Sequence, residues 1–208
     1  MSIITVENLT FKEILSYPKI EIEQETTFVC GNSGAGKSTL LKLLNGVTPK
    51  SGGKIYFNGK NIDDTDPIEL RKKVLLCGQS VYLFDKSISE NFDEYYSYRE
   101  MPFLNDEEKM KFLHICCADF PLDTVCTSMS GGERQRIYIA ICMSFMPQVL
   151  MLDEPTAALD TKNANDLVKN IKLFCTENSI SLIIVCHNDA IAEHFADKII
   201  TLDGRIAI

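Results

Sequence analysis

The sequence predicts an α/β fold organised around a buried, mostly parallel sheet, with an antiparallel edge and an inserted helical lobe. Three observations lead there. Four short apolar runs, Phe28-Val29-Cys30, Val74-Leu75-Leu76-Cys77, Val149-Leu150-Met151-Leu152 and Leu182-Ile183-Ile184-Val185-Cys186, lack polar alternation, as strands covered on both faces do. Each run stops at a residue of another kind: Gly31, Gly78-Gln79, Asp153-Glu154 and His187. The first run leads straight into Gly31-Asn32-Ser33-Gly34-Ala35-Gly36-Lys37-Ser38-Thr39 and then into Leu40-Leu41-Lys42-Leu43-Leu44, an order of strand, glycine loop and helix that suits a phosphate-binding loop.

The chemistry of that loop follows from its residue types. Glycines let the backbone curl with its N–H groups turned inward, and the helix starting near Gly36 adds the positive end of its dipole. Lys37 supplies a point charge between the β- and γ-phosphates, and the Ser38 hydroxyl suits Mg²⁺. Because ligands of open α/β sheets lie beyond the carboxyl ends of the strands, Gln79, Asp153, Glu154 and His187 are expected to converge on the same nucleotide triphosphate.

In chain order, 3–9, 20–22 and 28–30 read as short strands ahead of the loop. Phe11 and Tyr17 are the aromatic candidates for stacking on a nucleobase, and either fits a core position equally well. Thr48-Pro49-Lys50-Ser51-Gly52-Gly53 is turn chemistry, and Asn58-Gly59 between Lys54–Phe57 and Asn61-Ile62 signals an antiparallel hairpin. Ser87–Glu94 and Asn105–Cys117 have helical spacing and capping residues, joined by the aromatic stretch Phe92-Asp93-Glu94-Tyr95-Tyr96-Ser97-Tyr98. These form the predicted lobe, about 84–125, inserted in a core of 1–83 and 126–208. Ser130 and Glu133 fit a capping box opening a helix whose stripe is Ile137, Ala140, Ile141, Ser144 and Phe145, with Pro147 stopping it. An amphipathic helix over 163–177 and a turn at Asp203-Gly204 complete the reading. There is no internal repeat, low-complexity tract or linker.

Composition narrows the function. The 208 residues suit one domain with a small inserted lobe, and a hydrophobic content of 45% fills a core. A net charge of -8 opposes nucleic-acid wrapping and attraction to an anionic lipid surface. No apolar run is long enough to span a bilayer, and the opening residues lack the pattern of a signal peptide. The eight cysteines contain no C-x-x-C pair. They read as small buried hydrophobes in a reducing cytoplasm.

Six motifs in order then resemble the ATPase subunit of an ATP-binding cassette (ABC) transporter, a P-loop NTPase, over the whole chain. They are the loop Gly31–Thr39; a lone Gln79 after a strand; Met129-Ser130-Gly131-Gly132-Glu133, similar to the LSGGQ signature; Val149–Glu154; Ala157-Ala158-Leu159-Asp160; and His187. Alone, Ser130–Glu133 is an ordinary capping box; in this company it reads as the signature. The resemblance implies that Gly31, Asn32, Ser33, Gly34, Ala35, Gly36, Lys37, Ser38 and Thr39 bind ATP, with Phe11 at the adenine. Ser38, Asp153 and Gln79 would hold Mg²⁺. Glu154 would orient or deprotonate the attacking water, His187 would hydrogen-bond the γ-phosphate, and Gln79 would sense it.

Ser130, Gly131, Gly132 and Glu133 would close over ATP held by the other protomer, with Asp160 at the subunit contact. The implied active unit is a head-to-tail homodimer, or a pseudo-symmetric heterodimer, peripheral on the cytoplasmic face of a membrane through a permease. The stretch 79–91 resembles the exporter-type loop, and Tyr82, Phe84, Phe92 and Tyr95 are the candidates for permease docking or, equally, for the core. Glu133 and Met129 replace the usual Gln and Leu, the family's usual Tyr and Gly-Glu turn are missing before the loop, and the usual Glu-x-Gly before the signature is absent. The chain also resembles the small stand-alone cassettes that pair with a separately encoded permease. The competing reading is a soluble, non-transport ABC ATPase acting as an assembly scaffold or regulator.

Overall fold

A computed structural model describes residues 2–203; the expected turn at Asp203-Gly204 reaches outside the described residues. The chain divides into two compact units, one running to Gly78 and taking in Pro147–Glu154 and the chain from Cys175 on, the other made of Gln79–Met146 and Pro155–Phe174.

The first unit begins with β1 (Ile4–Phe11), β2 (Leu15–Ser16), β3 (Ile20–Ile22), β4 (Thr26–Gly31), α1 (Lys37–Leu44), β5 (Gly52–Phe57), β6 (Lys60–Asn61), α2 (Pro67–Lys73) and β7 (Val74–Cys77). β1 pairs antiparallel with β2, β3 and β5, and β5 with β6. The turn between β5 and β6 is Asn58-Gly59, both at positive φ (+50° and +75°), the geometry that keeps a two-residue hairpin in step with strand twist. Alternation explains this sheet: Ile4, Val6, Ile20, Ile22 and Ile55 are buried, with half-buried or exposed residues between them. Asp66 caps α2, its carboxylate accepting the N–H groups of Ile68 and Glu69, with Pro67 at the first turn.

The second unit carries α3 (Ile88–Tyr98), α4 (Asp106–Ile115) and α5 (Gly131–Ser144), each opened by a reciprocal capping box, Ser87 with Glu90, Asn105 with Glu108 and Ser130 with Glu133. The aromatic stretch expected to join the first two helices belongs to α3 instead. Ile88, Phe92 and Tyr96, spaced four apart, all turn inward, and that spacing keeps the helix running to Tyr98. Lys109 ties α4 to α3 through Asp93 (2.7 Å) and the Ser89 hydroxyl (2.9 Å). The rest of the chain is β8 (Val149–Asp153), α6 (Thr161–Glu177), β9 (Ser181–Val185), α7 (Asp189–Phe195) and β10 (Lys198–Leu202).

A second sheet of the first unit has the order β10-β4-β9-β8-β7, with all four neighbouring pairs parallel. β8 and β9 are buried at every position, as continuous apolar runs require. The core of this unit joins the leucines of α1 (Leu40, Leu41, Leu43, Leu44) to the inner face of the antiparallel sheet and to alternate residues of the parallel strands, Val29, Met151, Ile183 and Val185 among them. Seven cysteines are buried and Cys117 is half-buried, as small hydrophobes are. Burial pushes the Cys175 thiol up to about 12. Among the described residues no helix is long and apolar enough to cross a membrane.

Candidate nucleotide site

Parallel pairing puts the carboxyl ends of β4, β8 and β9 at one edge of the sheet, and three of the polar terminations meet there. Beyond β4 the loop turns through Gly31, Gly34 and Gly36 at φ of +140°, +81° and +89°. At Gly31 a Cβ would lie 2.3 Å from the Leu202 carbonyl oxygen of the neighbouring strand β10, so only glycine lets the backbone leave the sheet there. α1 has Gly36 at its N-cap and no side-chain capping bond. Its first N–H groups are thereby left to a ligand rather than to a local acceptor.

Lys37 is 5% exposed and its ammonium donates to the Gly31 and Asn32 carbonyls (2.8 and 3.0 Å), which holds it folded across the loop. Ser38 donates its hydroxyl to Asp153 Oδ1 at the end of β8 (2.9 Å). Asp153 is 3% exposed. Burial pushes its carboxyl above the usual aspartate range, the Ser38 bond pulls it back, and the neighbouring Glu154 charge pushes it up again. A Ser hydroxyl and a buried carboxylate side by side are hard oxygen donors, and their cost without a cation fits a site for a small divalent ion.

Glu154 follows at φ +55°, a left-handed conformation uncommon for a non-glycine residue. Its N–H donates to the Val185 carbonyl (3.1 Å), so the sheet ladder continues while the side chain is swung off the strand. There the His187 Nε2–H donates to Glu154 Oε1 at 2.6 Å. His187 stands one residue past Cys186 at the end of β9, exposed. A cavity of about 700 Å³ adjoins this edge, its wall including Gly31, Asn32, Ser33, His187 and Asp189.

The remaining candidates fall in different places. Phe11 is half-buried at the end of β1 with the Lys12 ammonium 5.2 Å from its ring centre, so part of one face stays available. Tyr17 does not: it is 3% exposed and its hydroxyl is bonded to the Gly36 carbonyl. It cannot offer a face to a base, and composition could not tell these two aromatics apart. Asn32, Ser33 and Gly34 are exposed, Ala35 is buried, and Ser38 and Thr39 are half-buried on α1. Gln79 is exposed two residues beyond β7 and opens the second unit.

Within the second unit, Ser130 receives the Glu133 N–H at its hydroxyl (3.4 Å) while its own N–H and hydroxyl both donate to Glu133 Oε2 (2.8 Å each). These bonds, the backbone one first, hold the Glu133 carboxyl below its usual range. A Cβ on Gly132 would stand 3.4 Å from the Ala158 Cβ, so the start of α5 and the segment 157–160 adjoin. Asp160 is exposed and immediately precedes α6, its carboxylate accepting the Asn163 N–H at 3.0 Å. Of the four aromatic docking candidates, Phe92 is fully buried and has no surface to present. Tyr82 is 63% exposed, packs edge-on against Phe84, and accepts the Tyr95 hydroxyl at its carbonyl (2.6 Å). Tyr98, which sequence reasoning left out, stacks on Phe84 and is 73% exposed.

A family model described as ABC transporter matches residues 20–157, more than half of the chain. The chain belongs to the ABC transporter family. It is 33% identical to the probable iron export ATP-binding protein FetA of Escherichia coli, with 86% of this chain and 79% of that one covered. It is likewise 33% identical to the energy-coupling factor transporter ATP-binding protein EcfA2 of Clostridium acetobutylicum, covering 97% of this chain and 77% of that one. Its fold matches cbiO1 from Clostridium perfringens, part of the ABC transporter complex cbiONQ, with a TM-score of 0.85 at 28% identity over 100% of this chain and 87% of that one. The chain is therefore an ATP-binding and ATP-hydrolysing subunit of the ABC transporter class.

Proposed function

We propose that this ABC ATPase holds MgATP at the carboxyl edge of its parallel sheet and works as a head-to-tail dimer that drives a membrane permease from the cytoplasmic face. The observation that carries the reading is the meeting of Lys37, Ser38, Asp153, Glu154 and His187 at one sheet edge, although they come from separate parts of the sequence. In this reading residues 1–83 and 126–208 are the core of one ATPase domain and about 84–125 its inserted helical lobe.

In this reading Lys37 exchanges the Gly31 and Asn32 carbonyls for the β- and γ-phosphates, and the loop N–H groups follow the same anion. Ser38 and Asp153 would hold Mg²⁺, with Gln79 completing the set; the ion, when bound, neutralises charge developing on the phosphate oxygens. Glu154 orients and accepts a proton from the attacking water. His187 keeps the Glu154 carboxylate aimed and then hydrogen-bonds the γ-phosphate as charge builds up on it. Phe11 supplies the adenine contact. Ser130, Gly131, Gly132 and Glu133 bring a helix N-terminus to the partner's ATP, and Asp160 lies at the contact between subunits. Tyr82, Phe84 and Tyr95, joined by Tyr98, form the aromatic surface that receives the permease. The soluble scaffold reading has no such observation in its favour, since the relatives reported above are transport subunits.

The test is Glu154→Gln. Purified E154Q should dimerise on addition of MgATP and return to monomer when the nucleotide is removed, with turnover lost. A variant that stays monomeric at saturating MgATP would overturn the sandwich, and one that hydrolyses at the wild-type rate would overturn the assignment of the base.

A further inference from the structure

The phosphate loop has a support behind it that none of the motifs contains. β1 and β2 form a tight hairpin in which Phe11 pairs with Leu15. Its turn passes through Lys12 and Glu13 at φ of +50° and +54°, and the Ile14 N–H donates to the Phe11 carbonyl at 3.0 Å. Immediately after β2 the Tyr17 N–H donates to the Leu9 carbonyl (2.9 Å), which fixes the ring of Tyr17 against the start of α1. The phenol then donates to the Gly36 carbonyl at 2.9 Å. Leu15 closes the same spot: a Cβ on Gly36 would stand 2.7 Å from Leu15 Cδ1 and 2.8 Å from the Tyr17 hydroxyl oxygen.

Peptide geometry makes this contact consequential. The Gly36 carbonyl already accepts the Leu40 N–H (2.8 Å), so Tyr17 is its second donor. In a trans peptide the carbonyl and the following N–H point in opposite directions. Anchoring the Gly36 oxygen toward Tyr17 therefore aims the Lys37 N–H away from the hairpin, toward the open side of the loop. We infer that Tyr17 is a positioning residue for triphosphate binding: its hydroxyl orients the Gly36–Lys37 peptide so that the Lys37 N–H is preset for a phosphate oxygen. Burial pushes the phenol well above the usual tyrosine range, so Tyr17 stays a donor across the working pH range. The inference rests on ATP binding at this loop and on no part of the dimer.

Tyr17→Phe removes the hydroxyl and keeps the ring. Isothermal titration of wild type and Y17F with MgATP and with Mg-tripolyphosphate, well below either melting temperature, reads the effect on folded protein. One hydrogen bond's worth of preorganisation predicts that Y17F binds both ligands about 5–10-fold more weakly. KM for MgATP should rise by a similar factor, with kcat at saturation within about twofold. Leu15→Val, which trims the packing and leaves the hydrogen bond, should bind like wild type. Y17F binding both ligands as wild type does would overturn the inference. So would a loss confined to MgATP with tripolyphosphate unaffected, because the hydroxyl would then serve the base and not the phosphate loop.

Discussion

The carboxyl ends of β4, β8 and β9 and the opening of α5 both present polar groups, yet they are built on opposite terms. At Ser130 the groups are satisfied locally: its N–H and hydroxyl donate to the Glu133 carboxylate and its hydroxyl oxygen accepts the Glu133 N–H. At the sheet edge a carboxylate is buried against its preference, a non-glycine backbone is turned left-handed at Glu154, and α1 begins with no side-chain cap. Such features cost free energy in a protein without ligand. The sheet edge keeps its strain where an anion and a cation would relieve it, and the opening of α5 keeps its helix end satisfied by its own residues.

Variants at the two places should therefore move activity and stability differently. Glu154→Gln should have the largest effect on chemistry, lowering turnover by roughly 10³-fold while MgATP binding persists, checked by steady-state phosphate release and equilibrium binding. Asp153→Asn should separate the two quantities. It should lower turnover by at least about 100-fold and yet raise the melting temperature of the nucleotide-free protein by about 2–4 °C, since a buried charge is removed and the Ser38 bond can be kept. A fall in melting temperature would break the comparison.

Ser130→Ala removes a satisfied cap, so both quantities should drop together, with stability lower by about 1 kcal/mol in denaturant titration. The smallest effect concerns Cys175. Its folded-state pKa is raised to about 12 by burial, so the unfolded chain loses the thiol proton first as pH rises. At neutral pH there should be no effect; stability should be unaffected below about pH 8, lower by about 1.5–2 kcal/mol near pH 10, and still falling toward pH 12, and Cys175→Ala should flatten that part of the profile.

How far the sequence could be read depended on the range of the interaction concerned. Capping boxes at Ser87, Asn105 and Ser130 link residues three apart, and the Asn58-Gly59 turn links neighbours, so both were legible. The terminations at Gly31, Asp153 and His187 were legible because buried parallel strands leave an unbroken apolar run with an abrupt end. Tyr17 was left open between a base-stacking face and a core position because its place depends on a hairpin that presses it against Gly36, 19 residues away in the chain. Phe92 was left open between surface and core, and Tyr98 was not singled out, for a related reason. Both are aromatic residues of one helix, and only the side on which α3 is packed decides between them. The close approach of the Leu202 carbonyl of β10 to Gly31 had no counterpart in the sequence pattern, since the two are far apart in the chain. The left-handed turn at Glu154 has no signal in composition at all.

By itself the sequence determined the kind of fold, the phosphate loop and the identity of the acids and imidazole beside it, because residue type and short spacing fix local backbone geometry and chemistry. Only the tertiary structure decided which aromatic braces the loop, which one is buried, how far Asp153 is pushed from its usual range, and that His187 reaches Glu154. Those outcomes depend on what is brought within a few ångströms by distant segments, and burial and distance, rather than residue identity, set the energy of a polar group.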